Sequence, residues 1–248
     1  MKLYISILCV FLSASSLAQI NIVPIAGINS TRVKLFSDYR NGGNFGLAGF
    51  EIELRKKPAN HKPVYFTCIT GLTYLNNGYY FSYDFSYNAL SFYTQNILDL
   101  QTEYWQVPVV LRLNWQPFPL VEDWRVFIGA GISNNFLINA HLKEEYTKVI
   151  FSKDVFAPPE TTHYEDSKDV TDLAQKYSLF QRFEIGMRYK RIQLVYRLSI
   201  SITDLYFKGL ETQWNVPLEG SEYLMALQRN GEITEKHSEL IIGYRILK

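Results

Sequence analysis

The sequence predicts an all-β chain, an eight-stranded antiparallel up-and-down barrel that crosses a membrane after a cleaved N-terminal signal peptide. Three observations carry that prediction. Apolar and polar residues alternate with period two over segments long enough to span a bilayer, two tryptophans bracket one such segment, and long connections alternate with short ones along the chain.

The first residues read as an export signal. Lys2 gives a positive start, Leu3 to Leu12 are almost wholly apolar, and Ser16-Leu17-Ala18 has the small-x-small form at which such signals are cut. The expected division is residues 1–18 as signal peptide and 19–248 as one barrel domain. Past the signal, no stretch approaches the ~18–20 consecutive apolar residues of a membrane-spanning helix. The aromatic content is nevertheless high, 18 Tyr and 16 Phe, and the rings recur at alternate positions, as they do in strands.

Eight strands are expected: Ile20 to Leu35, Phe45 to Arg55, Val64 to Leu75, Tyr104 to Trp115, Trp124 to Ile138, Arg182 to Lys190, Ile192 to Thr203 and Glu239 to Lys248. The fourth is the most informative. Trp105, Val107, Val109, Leu111, Leu113 and Trp115 form an unbroken apolar face, with Gln106, Arg112 and Asn114 on the other. Ten residues at ~3.3 Å each, tilted by about 40°, place the two tryptophans roughly 25 Å apart along the membrane normal, the height of a lipid-facing band. Trp105 and Trp115 are therefore the expected membrane girdle. In the sixth strand Phe183, Ile185, Met187 and Tyr189 alternate with Arg182, Glu184, Gly186, Arg188 and Lys190, and the seventh alternates in the same way from Ile192 to Thr203. Charges at those positions suit a polar lumen, not an apolar core.

The connections set the topology. Phe36 to Asn44, Asn76 to Asn96, Lys143 to Lys176 and Phe207 to Lys236 are expected to be long, while Lys56 to Pro63, Gln116 to Asp123 and the reversal at Lys190-Arg191 are short. Short turns at one end and long loops at the other are the layout of an outer-membrane barrel with both termini on the periplasmic side. An eight-stranded interior is filled by side chains and leaves no wide aqueous bore. The residues expected to fill it include the charged set Glu51, Glu53, Arg112, Glu184, Arg188, Arg197, Glu239 and Arg245, paired with one another because unpaired buried charge is too costly to persist.

Three segments carry a family resemblance: Glu103-Tyr104-Trp105-Gln106-Val107-Pro108-Val109-Val110-Leu111-Arg112, the Gly129-Ala130-Gly131 strand, and Gly243-Tyr244-Arg245. They resemble the PorT-like outer-membrane β-barrel family of Gram-negative bacteria, in which a Glu-Tyr-apolar strand containing Ile/Val-Pro precedes a glycine-rich strand. The resemblance implies an eight-stranded barrel with periplasmic termini. It implies no single activity, although the namesake serves a protein-secretion system.

Without Lys2 the 25 Lys and Arg become 24, equal to the 24 Asp and Glu, so no net field favours nucleic acid. The expected partners are outer-membrane lipid and other envelope or secretion proteins. Cys68 alone would remain in the mature chain, which leaves no internal disulfide. No catalytic, metal or cofactor set is expected from His61, His141, His163 and His237. In a strand His237 and Glu239 point one way and Ser238 the other, which excludes a triad of neighbours, and His141 and His237 are expected at the outer rim. The acidic pairs Glu144-Glu145 and Glu165-Asp166 read as solvated loop. The expected contact surface is the aromatic run Tyr79, Tyr80, Phe81, Tyr83, Phe85 and Tyr87, with Trp214 in the last loop, since exposed rings bury large areas at low entropic cost. The resulting expectation is a non-enzymatic outer-membrane barrel acting as a structural or partner component of a cell-envelope or secretion assembly. Two rivals stay open at this point: a barrel hydrolase acting on lipid or peptide, and a soluble periplasmic β-sandwich that buries the Trp105 to Trp115 face against a second layer.

Overall fold

The computed structural model describes residues 18–35, 38–56, 64–87, 92–117, 123–151, 158–172, 174–203 and 234–246. The expected signal peptide, apart from Ala18, and Trp214 lie outside these residues. Nine strands are described: β1 (Ala18–Leu35), β2 (Asp38–Lys56), β3 (Val64–Tyr87), β4 (Phe92–Trp115), β5 (Trp124–Ile150), β6 (Glu160–Asp169), β7 (Tyr177–Tyr189), β8 (Ile192–Ser201) and β9 (Thr234–Tyr244). Eight close a barrel. Each of β1 to β5 pairs antiparallel with the next, β5 pairs with β7, β7 with β8, β8 with β9, and β9 returns to β1 from Ile25↔Gly243 to Lys34↔Thr234. The ninth strand, β6, lies outside the ring and pairs with the outer half of β5. Closure removes the sandwich reading, because one sheet wraps on itself and there is no second layer to cover its outer face.

The period-two pattern now has two surfaces. Outward residues of β7, β8 and β9, among them Phe183, Ile185, Met187, Leu194, Tyr196, Leu240 and Ile242, are exposed, whereas Arg182, Glu184, Arg188, Arg197 and Glu239 on the alternate positions are buried. A soluble protein partitions its side chains the opposite way. An apolar exterior around a polar interior is what a bilayer selects, since lipid takes the place of water as the outer solvent.

Two aromatic rows mark the limits of this belt. At the end away from the chain termini, the pairing registers place Tyr74, Trp105, Phe136 and Tyr177 side by side on four successive strands. Tyr74 meets Trp105 edge-on at 5.7 Å, and Phe136 meets Tyr177 at 5.6 Å. At the other end Trp124, Tyr189, Ile192 and Tyr244 are aligned in the same way, with Trp124 and Tyr189 rings 5.3 Å apart. Trp105 and Trp115 are both exposed on the outer face, Trp105 within the first row and Trp115 two register positions beyond the start of β5.

Three expected connections are largely strand. Residues 38–44 belong to β2, the stretch from Asn76 to Asn96 forms the outer halves of β3 and β4 up to Tyr87↔Phe92, and Lys143 to Lys176 contains the β5–β6 hairpin. β5 looked shorter in the sequence because its register shifts beside Ile138: Glu103 faces Asn139, but the next residue, Tyr104, faces Leu137. This bulge switches the inward positions from odd to even, so Phe127 and Asn135 point inward before it and Ala140 and Leu142 after it. A period-two reading stops there although the strand continues.

Candidate functional site

The middle of the barrel is a closed network of charges. One continuous ladder of cross-strand neighbours runs Arg112↔Gly129↔Glu184↔Arg197↔Glu239, each residue on the next strand of the ring. Directly opposed, oppositely charged side chains stabilise a sheet. Here signs alternate along the ladder, and Gly129 is the one uncharged step. A Cβ at Gly129 would lie 2.8 Å from the Glu184 Cγ and Oε1 atoms, so the glycine leaves the space through which Arg112 Nε reaches Glu184 Oε1 at 2.5 Å. Glu51 enters from β2, accepting from Arg112 Nη2 at 3.3 Å and from Arg197 Nη2. Arg197 is the hub: it also pairs with Glu239 at 3.0 Å and with Glu184 at 3.4 Å.

The network continues along the axis in both directions. Towards the short turns, Glu53 pairs with Arg188 at 3.0 Å and Arg245 at 3.5 Å. On the other side, Arg182 approaches Glu239 at 3.7 Å and donates to Gln106 Oε1. Above it, His237 stands edge-on to Phe180 at 4.8 Å, and the Tyr79 hydroxyl donates to Glu235. Glu51, Arg112, Arg182, Arg197 and Glu239 are all 0–1 % exposed. Water does not reach them, so the barrel has no open bore at their level.

The expected lumen residues are therefore found in two groups: Glu51, Arg112, Glu184, Arg197 and Glu239 in the ladder cluster, and Glu53, Arg188 and Arg245 nearer the short turns. Arg182, Glu235 and Gln106 belong to the same interior and were not among the expected set. Arg182 was visible on the polar side of its strand. Glu235 lay in a stretch read as loop, and no sequence signal placed it opposite Tyr79.

Two expectations need correction. Tyr79 is not on an outward contact surface: it is 2 % exposed, because its position on β3 points into the barrel towards Glu235. His237 is not a rim residue either, since β9 begins at Thr234 and carries it into the buried interior. Ser238 points outward, 3.5 Å from the Tyr196 hydroxyl, so it sits on the opposite side of the wall from His237 and Glu239, the other two members of the apparent triad. His141 is exposed and lies 2.9 Å from Asn139. Tyr80, Phe81, Tyr83, Phe85 and Tyr87 lie on the outer half of β3, paired by backbone with β4, and their side chains lie outside the described residues.

Beyond the belt the outer halves of β3, β4 and β5 form a sheet that β6 completes as an edge strand. Crossing a bilayer takes ~9–11 tilted residues, whereas β3 and β4 have 24 residues each and β5 has 27. More than half of each strand therefore stands clear of the membrane. The segment after β6 folds back onto β5: Val170 N–H donates to the Ala140 carbonyl at 2.9 Å, and the Thr171 hydroxyl donates to Asn139 Oδ1 at 2.9 Å. Val170, Ala174, Ala140 and Leu142 are buried there. On the outer surface Lys143 bridges Glu145 at 2.7 Å and Glu165 at 2.8 Å, tying β5 to β6. Those contacts hold the Glu165 carboxyl below its ordinary range and raise Lys143.

No family model matches the chain, and no curated protein does. Solved structures do. The crystal structure of Ail, the attachment invasion locus protein of Yersinia pestis, is 12 % identical over 91 % of this chain and 99 % of its own, with a TM-score of 0.32. Neisserial surface protein A is 9 % identical over 91 % of this chain and 97 % of its own, at 0.36. CarO of Acinetobacter baumannii is 11 % identical over 88 % and 96 %, at 0.34. Likeness at this level adds nothing to the strand pairing described above, on which the barrel rests.

Proposed function

We propose that this chain is a non-enzymatic outer-membrane β-barrel of the PorT-like kind that serves as a structural or partner component of a cell-envelope or secretion assembly. It makes its contacts through the sheet that projects beyond the belt. The observation that supports this reading is the combination of a water-excluding, ion-paired interior with strands more than twice the length a bilayer needs. A barrel whose bore is filled by Arg112, Arg182 and Arg197 has no room to pass solutes, so its surfaces are what remain for function. The projecting sheet is held by strand pairing and by its own buried residues, and it ends in the edge strand β6. An ordered sheet presents side chains at fixed spacing and loses little entropy on binding. The edge of β6 is lined by charge, with Glu160, Glu165, Asp166, Lys168 and Asp169 in ten residues, which discourages indiscriminate strand addition.

The test is affinity purification from detergent-solubilised outer membranes, comparing the whole chain with a version in which residues 144–167 are replaced by a short turn. Stoichiometric recovery of an envelope protein by the whole chain, and its loss from the shortened one, is the expected result. Equal recovery by both, or no co-purifying protein, would contradict the reading.

A further inference from the structure

A cavity of about 710 Å³ opens at the short-turn end of the barrel, the end at which β1 begins and β9 finishes. Its cations come from five elements: Arg55 is next to last in β2, Arg125 second in β5, Arg188 next to last in β7, Lys190 and Arg191 form the β7–β8 turn, and Arg245 follows β9. Arg125 has a partner of its own; against the other five, the described residues supply two acids, Asp123 in the lining and Glu53 behind Arg188 and Arg245, leaving a surplus of three positive charges. The whole sequence carries a formal net charge of only +1, so the surplus is a local concentration and not a reflection of a basic protein. Like charges gathered in a partly enclosed site repel one another and focus a positive potential outward.

Arg188 and Arg245 already share Glu53, at 3.0 and 3.5 Å. Lys190 and Arg191 stand exposed in the β7–β8 turn with no carboxylate in ion-pair contact among the described residues, and guanidinium and ammonium groups are both suited to phosphate oxygens. The lining has a second character. Tyr189, Ile192 and Tyr244 also border the cavity, and all three are exposed on the outer, lipid-facing surface, where they form the aromatic row that ends the belt. The cavity thus joins a cationic interior to an apolar lip at the height where headgroups meet acyl chains.

We infer that this cavity binds a phosphate-bearing anion, and that its occupant is the headgroup of an anionic phospholipid from the leaflet at the short-turn end, with the acyl chains lying over Tyr189, Ile192 and Tyr244. The inference takes from the preceding section only that the barrel lies in a bilayer. Its function there is to fix the depth and orientation of the short-turn rim in the membrane.

The experiment uses the purified whole chain folded in neutral maltoside micelles. Its insertion is first checked by flotation with phosphatidylcholine vesicles, so that a failure to insert, which would refute the membrane reading, is seen separately. Dioleoylphosphatidylglycerol, dioleoylphosphatidylcholine and inorganic phosphate are then added in turn, and retained molecules are counted by native mass spectrometry. One phosphatidylglycerol retained in preference to phosphatidylcholine is expected, weakened about tenfold or more in a Lys190→Asn, Arg191→Gln variant. Asparagine at position 190 keeps the turn, where φ is 54°. A Lys143→Gln, Lys168→Gln variant, with the same charge change at the far end, should bind as the unmodified chain does. Equal retention of the two lipids, or equal weakening in both variants, would overturn the inference. Competition by millimolar inorganic phosphate for the same site, without any preference for the lipid, would overturn the lipid as occupant and leave a site for free phosphate.

Discussion

At the scale of single residues, the barrel is stabilised by charges that satisfy one another. Arg197 touches three carboxylates at once, so its removal leaves Glu51, Glu184 and Glu239 short of a partner in a space water does not enter. Breaking a buried pair in this way costs ~3–5 kcal/mol, whereas an exposed pair is worth at most ~1 kcal/mol. Arg197→Leu should therefore lower the urea midpoint of unfolding from lipid vesicles substantially. Lys176→Gln, which removes an exposed pair with Asp172, should leave it unchanged. Gly129→Ala should cost ~1–3 kcal/mol in the same assay through overpacking, because the new methyl meets Glu184. Gly46→Ala, with nothing within 4 Å, should be neutral. The charged character of the interior could be read from the sequence, because alternation put Arg112, Glu184, Arg188 and Arg197 on the polar side of their strands. The pairing could not. Which carboxylate meets which guanidinium depends on register across the ring, and a single sequence does not contain register. Tyr79 shows the same limit: its aromatic neighbours suggested an exposed ladder, but its strand position aims it at Glu235.

At the scale of elements, strand identity was legible and strand length was not. All eight barrel strands were foreseen, yet the outer halves of β3, β4 and β5 were counted as connections, because beyond the rim no lipid imposes an apolar–polar period, although the alternate rings from Tyr79 to Tyr87 already pointed to strand in β3. The Ile138 bulge compounds this by changing the inward parity at the rim. Deleting Ile138 should remove the extra residue and leave a regular ladder, with Leu137 and Asn139 consecutive opposite Tyr104 and Glu103 and Ala140 and Leu142 still inward. Amide exchange should then stay slow over both 124–136 and 141–150; acceleration confined to 141–150 would contradict this account of the bulge. The hairpin is also tied by Lys143, and the sign of its pH dependence follows. Glu165 has a lowered folded-state pKa, so its contribution is fully present above the ordinary carboxylate range of about 4 and fades as the pH falls through the lower folded value. NMR titration of the Glu165 carboxyl should give a midpoint below the ordinary value, moving back up in Lys143→Gln. An unchanged midpoint in that variant would show that the bridge does not form in solution.

For the whole molecule, we propose a direction as well as a shape: a barrel across the outer membrane with its projecting sheet outside the cell and its cationic mouth facing the periplasm. Both aromatic rows, the apolar belt between them and the grouping of short turns with the chain termini follow from one arrangement of strands. Cysteine accessibility on intact cells tests that claim most directly. In a Cys68→Ser background, a membrane-impermeant maleimide is applied to cells carrying either Ser167→Cys, on the exposed hairpin, or Arg191→Cys, in the β7–β8 turn. The account predicts labelling of the first on intact cells and of the second only after the outer membrane is opened. Labelling of both on intact cells, or of Arg191→Cys alone, would contradict it.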